Sequence, residues 1–136
     1  MFGEAVEEFL RFESPVQGLM RTTTRETEIL GHQIPAGSRV HMLFGSANRD
    51  ERAFAHPESI DIDRNPNDHF GFGFGIHYCM GAGLARLEGR VAIEELLARM
   101  PDYSIEHDAL ERLCGFSNRG YTRVPMRFEA TRARQS

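Results

Sequence analysis

One stretch of the chain, residues 69–84, constrains its fold more than any other. It reads HFGFGFGIHYCMGAGL and places a single cysteine, Cys79, among five glycines and four aromatic residues. Glycine lets the backbone approach another group closely or adopt a positive φ, where a Cβ would clash. So many aromatic side chains do not suit a solvated flexible loop. We therefore expect a thin, packed loop that binds a flat, apolar ligand through the sulfur of Cys79.

Cys79 has three alternative roles: an inert core residue, a zinc ligand, or part of a dinucleotide-binding loop. Burial as an inert core residue is the common fate of a lone cysteine, but it does not explain the neighbouring glycines. A zinc site built on His77 and Cys79 lacks a CxxC pair and a convincing set of remaining ligands. A dinucleotide-binding loop would need a preceding strand and a glycine where Tyr78 stands. Each alternative accounts for less of the stretch than a sulfur-bound ligand does.

The spacing F-G-x-G-x-H-x-C-x-G over residues 72–81 resembles the haem-binding signature of the cytochrome P450 family. It is fixed over ten residues and runs into a predicted helix, so it is far more specific than a lone glycine motif. In that family the cysteine thiolate is the axial ligand of the haem iron. The resemblance implies that Cys79 is the metal ligand, that His77 contacts a propionate and that Phe72 packs beside the sulfur. It also implies that Gly73, Gly75 and Gly81 keep the loop thin enough for the ring. His69 would line the entrance of the loop.

The position of Cys79 suits a thiolate, which is the form of cysteine that binds metals. Because Cys79 comes immediately before the predicted long helix, we expect its sulfur to meet free N–H groups and the positive end of the helix dipole. Both would stabilise a negative sulfur. A thiolate ligand pushes electron density onto haem iron and favours O–O cleavage.

A short helix is predicted over residues 5–12, with Glu8 and Arg11 three positions apart on its polar side. Taken alone, this would be a surface ion pair contributing under about 1 kcal/mol. The resemblance implies instead that they form the family's E-x-x-R pair, a buried structural brace for the haem loop. The family commonly adds an arginine where this chain has Ser59, and Arg64 is a possible substitute.

Strand-like alternation and turn signals run through residues 16–40, and residues 39–44 are predicted to form a further short strand. In the family this is a small sheet region. Arg21 falls where the family places an arginine that pairs with a haem propionate; without the resemblance, a solvated charge on a strand would be the simpler interpretation. Residues 47–68 have little periodicity and resemble the family's irregular meander.

The strongest predicted helix runs from about residue 80 to 100, ended by Pro101. Its apolar residues gather first on one face and later on the opposite one, which predicts a helix enclosed between two layers. Short strands are predicted over residues 103–106 and 120–128. Cys114 is expected to be packed and inert, and residues 131–136 to be disordered.

Composition narrows the class of protein. The net charge of −4 over 136 residues argues against a nucleic-acid partner, and two cysteines are too few for a disulfide framework. No apolar run is long enough to span a bilayer, so a cytoplasmic protein without a membrane partner is expected. The predicted fold class is α+β, with residues 1–136 as the C-terminal haem-binding segment of a cytochrome P450-like domain.

The resemblance implies a haem-thiolate monooxygenase that uses haem b and inserts one oxygen atom of O2 into a small organic substrate. It implies an electron donor such as a ferredoxin or flavin reductase; Arg86 and Arg90 could help dock it, or could simply form a solvated helix face. Full family members are much longer and carry a central helix over the distal side of the haem. A non-catalytic haem-binding remnant or a fragment without activity is the alternative. Phe116 and Ser117 are weak hints of a substrate-facing turn.

Overall fold

The computed structural model describes residues 2–113 and 115–129, and it confirms an α+β fold. The helices are α1 (Phe2–Glu13), α2 (Phe44–Ala47) and α3 (Ala82–Arg99), with 3-10 turns at Gly75–His77 and His107–Ala109. The strands are β1 (Leu19–Thr22), β2 (Thr27–Ile29), β3 (His32–Ile34), β4 (Arg39–Met42), β5 (Tyr103–Ile105), β6 (Glu111–Arg112), β7 (Tyr121–Arg123) and β8 (Met126–Phe128). Predictions for Cys114 and residues 131–136 lie outside the described residues.

Helix α1 begins and ends a little beyond the predicted residues 5–12. It ends where Ser14 takes a φ of 43°, immediately before Pro15, which disfavours a helical conformation in the residue that precedes it. The Ser14 hydroxyl donates a hydrogen bond to the carbonyl of Arg11 at 2.8 Å, so one of the free carbonyls at the helix end is satisfied. The buried face of α1 carries Ala5, Val6, Glu8 and Arg11.

The strands form four separate antiparallel pairs: β1 with β4, β2 with β3, β5 with β8, and β6 with β7. The predicted strand over residues 39–44 ends early, because Phe44 turns inward as the buried first residue of α2. The predicted strand over residues 120–128 is two strands. Pro125 lies between them and cannot donate a backbone hydrogen bond to a ladder.

Gly18 lies where the chain enters β1, and it is the tightest glycine among the described residues. A Cβ built there would lie 2.3 Å from the carbonyl oxygen of Met42 and 2.7 Å from Nε2 of His41. Since the nearest obstacle is backbone on the partner strand, a side chain cannot be accommodated by a rotamer change. The pairing of β1 with β4 therefore requires glycine at position 18.

We expect Gly18→Ala to lower the free energy of unfolding by roughly 1–3 kcal/mol, as overpacking does in well-packed sites. Denaturant unfolding followed by circular dichroism measures it. Gly83→Ala is the matched control, because an added Cβ there meets nothing within 4 Å and lies inside α3. That change should instead raise the stability slightly, by up to about 1 kcal/mol. Equal effects at both positions would contradict the steric explanation.

Helix α3 packs against α1, where Gly89 allows the side chain of Val6 to approach closely. The predicted second covering layer is not provided by the described residues. Ala82 is the one residue of α3 that is buried, whereas Leu84, Leu87, Val91 and Leu97 are exposed. Within residues 2–113 and 115–129, no helix has the length and apolar character that crossing a membrane requires.

Candidate functional site

The loop before α3 is held in shape by its own backbone. The N–H of Gly73 donates to the carbonyl of Phe70 at 2.9 Å, and the N–H of Cys79 donates to the carbonyl of Phe72 at 2.9 Å. Gly73 and Gly75 have φ values of 75° and 67°, in the left-handed region that side chains rarely adopt. The two glycines therefore allow the loop to fold back on itself and to bring Phe72 beside Cys79.

The thiol of Cys79 is free and exposed at the end of this loop. Three apolar side chains of the same loop project into solvent: Phe74 is 81% exposed, Ile76 is 98% exposed, and Met80 is fully exposed. Exposed apolar side chains so close together commonly mark a binding surface. The loop therefore presents one sulfur together with an uncovered apolar surface.

The expected hydrogen bonds from the helix N-terminus to the sulfur are absent among the described residues. Helix α3 begins three residues after Cys79, and the first helical N–H, that of Ala82, donates to the backbone carbonyl of Cys79 at 3.2 Å instead. The N–H of Ala85 donates to the carbonyl of Gly81. A Cβ on Gly81 would lie 3.8 Å from the sulfur, an ordinary contact, so the described residues do not by themselves require glycine there.

The two predicted propionate contacts lie on different elements. His77 ends the 3-10 turn and is exposed, while Arg21 lies on β1 opposite Val40. The guanidinium of Arg21 donates only to the carbonyl of Met20, at 2.9 Å, and neither residue forms an ion pair within the described part of the chain. Both side chains thus keep free hydrogen-bonding capacity, and their contact with a propionate stays a prediction.

Glu8 and Arg11 form a fully buried ion pair, each with 0% of its side chain exposed. Nε and Nη2 of Arg11 each donate to one carboxylate oxygen of Glu8 at 2.8 Å, the two-bond geometry that makes arginine–carboxylate pairs strong. The rest of the guanidinium donates to three carbonyls, those of Asn48, Pro57 and Ser59, at 2.8, 2.9 and 3.0 Å. The pair therefore connects α1 to the meander.

Arg64 takes part in this network. Its Nε donates to Oε2 of Glu8 at 3.1 Å, and its side chain is only 8% exposed. Ser59, which stands where the family commonly has an arginine, contributes only its backbone carbonyl to Arg11. A second arginine is thus supplied from five residues further along the chain, and the network has three charged members.

Asn48 extends the network to the cysteine loop, and sequence reasoning missed it. Its side chain is completely buried, donates to the hydroxyl of Ser14 at 2.8 Å, and accepts the N–H of Phe70 at 2.6 Å. Its carbonyl accepts from Arg11. One asparagine therefore links the buried ion pair to the residue that opens the cysteine loop. Its position directly after the short helix α2 gave no local signal of this role.

Glu7, the neighbour of Glu8, was also missed. It forms a second connection from α1 to the loop, through His69 and Arg86. The side chain of His69 is only 2% exposed because it lies against Glu7, and its place at the loop entrance stays a prediction. Arg86 is paired with Glu7 while 37% of its side chain stays exposed, so a docking role for Arg86 stays a prediction.

The acid sensitivity of the fold should follow from Glu8. Burial raises the pKa of Glu8, but hydrogen bonds from Arg11, the N–H of Asp61 and Arg64 outweigh it and lower the pKa from 4.5 to about 2. Because the folded-state pKa lies below the unfolded-state value, ionised Glu8 stabilises the fold above about pH 4.5. We expect roughly 3 kcal/mol of stability to be lost as the pH falls from about 4.5 to about 2.

Denaturant unfolding at a series of pH values measures this loss. Glu58→Gln is a suitable control, because Glu58 is 71% exposed and its substitution should leave the pH profile unchanged. A stability that stays constant between about pH 4.5 and pH 2.5 would contradict the assignment to Glu8.

The residues around Cys79 fit a haem. The donor is a single exposed thiol, which excludes a metal ion held by several protein side chains at this point, and no group of three or more His, Cys, Asp or Glu in the described residues could hold one. A flat, apolar group bound through the sulfur suits a loop that exposes apolar side chains at Phe74, Ile76 and Met80. A lone cysteine in such a loop, braced by a buried Glu–Arg pair, is what the resemblance leads us to expect of a haem-thiolate protein.

Comparisons with known proteins give the family. The sequence profile of cytochrome P450 matches residues 2–106. The chain is 48% identical over 105 residues to "Steroid C26-monooxygenase" of Mycolicibacterium smegmatis, covering 77% of this chain and 26% of that protein. It is 42% identical over 129 residues to "Biotin biosynthesis cytochrome P450" of Bacillus subtilis, covering 95% of this chain and 33% of the relative.

Solved structures agree with the sequence comparison. P450BioI in complex with an acyl carrier protein ligated to hexadec-9Z-enoic acid matches 94% of this chain and 33% of its own, with a TM-score of 0.90 and 43% identity. A hydroxylase of himastatin biosynthesis, HmtN, also matches with a TM-score of 0.90 and 43% identity. This chain belongs to the cytochrome P450 family, and it spans about a third or less of the length of the relatives it matches.

Proposed function

We propose that residues 1–136 are the C-terminal haem-binding segment of a cytochrome P450 monooxygenase. The observation that carries the proposal is the free, exposed thiol of Cys79 in a backbone-fixed loop whose apolar side chains have no cover. The relatives that share this stretch include a protein named as a steroid monooxygenase and a structure titled as a hydroxylase. The cofactor we propose is haem b.

Each predicted site residue except Gly81 is assigned a part in holding this group. Cys79 provides the thiolate, and Phe72 packs beside it. Gly73 and Gly75 shape the loop, while His77 and Arg21 provide uncompensated hydrogen-bond donors suited to the two propionates. The buried pair of Glu8 and Arg11 keeps α1 and the meander at a fixed distance from the loop. Haem with a thiolate ligand supplies the ability to cleave O2 and to oxidise unreactive C–H bonds.

The proposal includes partners. Monooxygenation consumes two electrons that the described residues cannot supply, so an electron donor such as a ferredoxin or flavin reductase is required. The substrate is a small organic molecule. The described residues offer one hint of where it lies, at Phe116, which is largely exposed and stacks on His41 at 5.1 Å between ring centroids.

A carbon monoxide difference spectrum tests the proposal. The purified chain, supplied with haem and reduced with dithionite, should give the Soret band typical of thiolate-ligated iron. A spectrum without that band, at saturating haem, would overturn the proposal. Peroxide-driven or NADPH-driven turnover, the latter with an added ferredoxin and reductase, then separates a monooxygenase from a haem-binding protein without catalysis. The non-catalytic alternative predicts the thiolate band and no oxygenated product.

A further inference from the structure

One carboxylate connects α1 to both sides of the cysteine loop. Glu7 and Glu8 are adjacent in sequence but point to different neighbours: Glu8 contacts the meander, and Glu7 contacts the loop and α3. Glu7 has two hydrogen-bond partners that are distant in sequence: Arg86, 79 positions later, and His69, 62 positions later. So long a separation means that the contact depends on the folded chain rather than on local sequence.

Arg86 connects Glu7 to Phe72 and Tyr78, two residues next to Cys79. Its Nε and Nη2 donate to the two carboxylate oxygens of Glu7 at 2.5 and 2.9 Å. Its Nη1 donates to the hydroxyl of Tyr78 at 2.9 Å, and its guanidinium lies 4.6 Å from the ring centroid of Phe72. Tyr78 precedes Cys79, and the carbonyl of Phe72 accepts the N–H of Cys79. Arg86 therefore contacts both the residue that precedes Cys79 in the chain and the residue that accepts its N–H.

His69, at the start of the loop, is the second partner of Glu7 and also contacts the loop backbone. The N–H of Gly71 donates to Nδ1 of His69 at 3.0 Å, so that nitrogen carries no proton. The proton lies on Nε2, which donates to Oε2 of Glu7 at 3.0 Å. The imidazole of His69 thus bridges the loop backbone and Glu7.

The charge on Glu7 is needed for this arrangement. Burial raises the pKa of the Glu7 carboxyl, and hydrogen bonds from Arg86 and His69 more than offset it, so the pKa lies below its ordinary value. The same hydrogen bond with Glu7 raises the pKa of Arg86. At neutral pH the carboxylate and the guanidinium are both charged, and hydrogen bonds between charged groups are about twice as strong as those between neutral ones.

We propose that Glu7 is a positioning residue for Cys79: through Arg86 and His69 it fixes Phe72, Tyr78 and the loop backbone, and so sets the direction of the sulfur. The proposal rests on the proposed function, since the sulfur has a direction to set only if it binds iron. Arg86 then acts within the protein, as the inner partner of Glu7, and is not primarily a surface charge.

Glu7→Gln tests the proposal, because it keeps the size of the side chain and removes its charge. In the haem-loaded, reduced chain with carbon monoxide, we expect the fraction of thiolate-type band to fall at saturating haem, with a second band of unligated or thiol-ligated type growing in. In the chain without haem, we expect amide exchange at Cys79 and Gly73 to be about tenfold faster, as loss of one charged hydrogen bond implies.

Glu94→Gln is the matched control. Glu94 pairs with Arg90 on the exposed side of α3 at 3.7 Å, without a contact to the loop, and its substitution should leave the spectrum and both exchange rates unchanged. Tyr78→Phe is a milder second variant should Glu7→Gln unfold the chain. It removes only the hydroxyl that Arg86 holds, and we expect a smaller shift in the same direction.

The outcomes separate the two proposals. If the parent chain shows the thiolate band and Glu7→Gln and Tyr78→Phe show the same band and the same exchange rates, the positioning role is wrong and the proposed function stands. A parent chain without the band overturns the proposed function and, with it, any role in setting the sulfur for iron. Arg86→Lys keeps the charge but cannot reach Glu7 and Tyr78 together, so restoration of the parent spectrum by lysine would also count against the proposal.

Discussion

Arg11→Ala is expected to lower the free energy of unfolding by about 3–5 kcal/mol, the cost of breaking a buried ion pair by removing one partner. The substitution removes five hydrogen bonds at once, including those to the carbonyls of Asn48 and Pro57, and leaves the carbonyl of Ser59 with only a long hydrogen bond from Arg64. It also leaves Glu8 with Arg64 as its remaining charged partner. Since a domain is stable by only about 5–15 kcal/mol, much of the fold's stability is at stake.

Urea unfolding at neutral pH, followed by circular dichroism, measures the loss. Arg123→Ala is the matched control: Arg123 pairs with Glu111, both side chains are more than half exposed, and the change should cost under about 1 kcal/mol. Combining Arg11→Ala with Glu8→Gln should cost less than the sum of the single changes, because each single change already breaks the same ion pair. Additive losses would show that the two side chains do not act as a pair.

The sequence predicted this pair and part of its surroundings. The spacing of Glu8 and Arg11 puts both on one side of a helix, but it cannot tell a buried side from a solvated one. The interpretation as a buried brace came from the family resemblance, and 0% exposure of both side chains agrees with it. Whether Arg64 replaces the arginine missing at position 59 depended on how the meander folds, which no local pattern determines.

Residues that act across long separations were out of reach of sequence patterns. Asn48 and Glu7 are ordinary polar residues next to ordinary neighbours, and their roles appear only when α1, α2 and the loop come together. The burial of His69 against Glu7 was not predicted either. In each case the deciding contact lies at least 22 positions away in the chain.

The secondary structure was predictable where one local signal dominates. Pro15 and Pro101 mark the ends of α1 and α3, and the turn glycines separate the early strands. The prediction failed at Phe44, where an apolar residue continued a strand pattern but its burial as the first residue of α2 took precedence. It also failed to find β6, a strand of two residues that is too short to show a period.

Cys79→Ala is expected to abolish the thiolate-type carbon monoxide band completely while leaving the fold intact. The thiol is exposed and receives no hydrogen bond from the described residues, so its removal leaves no buried cavity and no unpaired partner. Cys114→Ser is the matched control, since it removes the other cysteine thiol of the chain. The band should survive that change at the parent intensity.

The type of band, and not haem uptake, is the measurement that decides. Phe74, Ile76 and Met80 stay exposed in Cys79→Ala, and such a surface can hold a flat apolar ring without any bond to iron. Haem absorbance that persists in the variant is therefore compatible with the assignment, whereas a persisting thiolate band is not. Loss of the band in Cys114→Ser and its retention in Cys79→Ala would show that Cys114, and not Cys79, is the ligand. The two single-cysteine variants together thus assign the bond, because each contains one of the two possible thiolate donors.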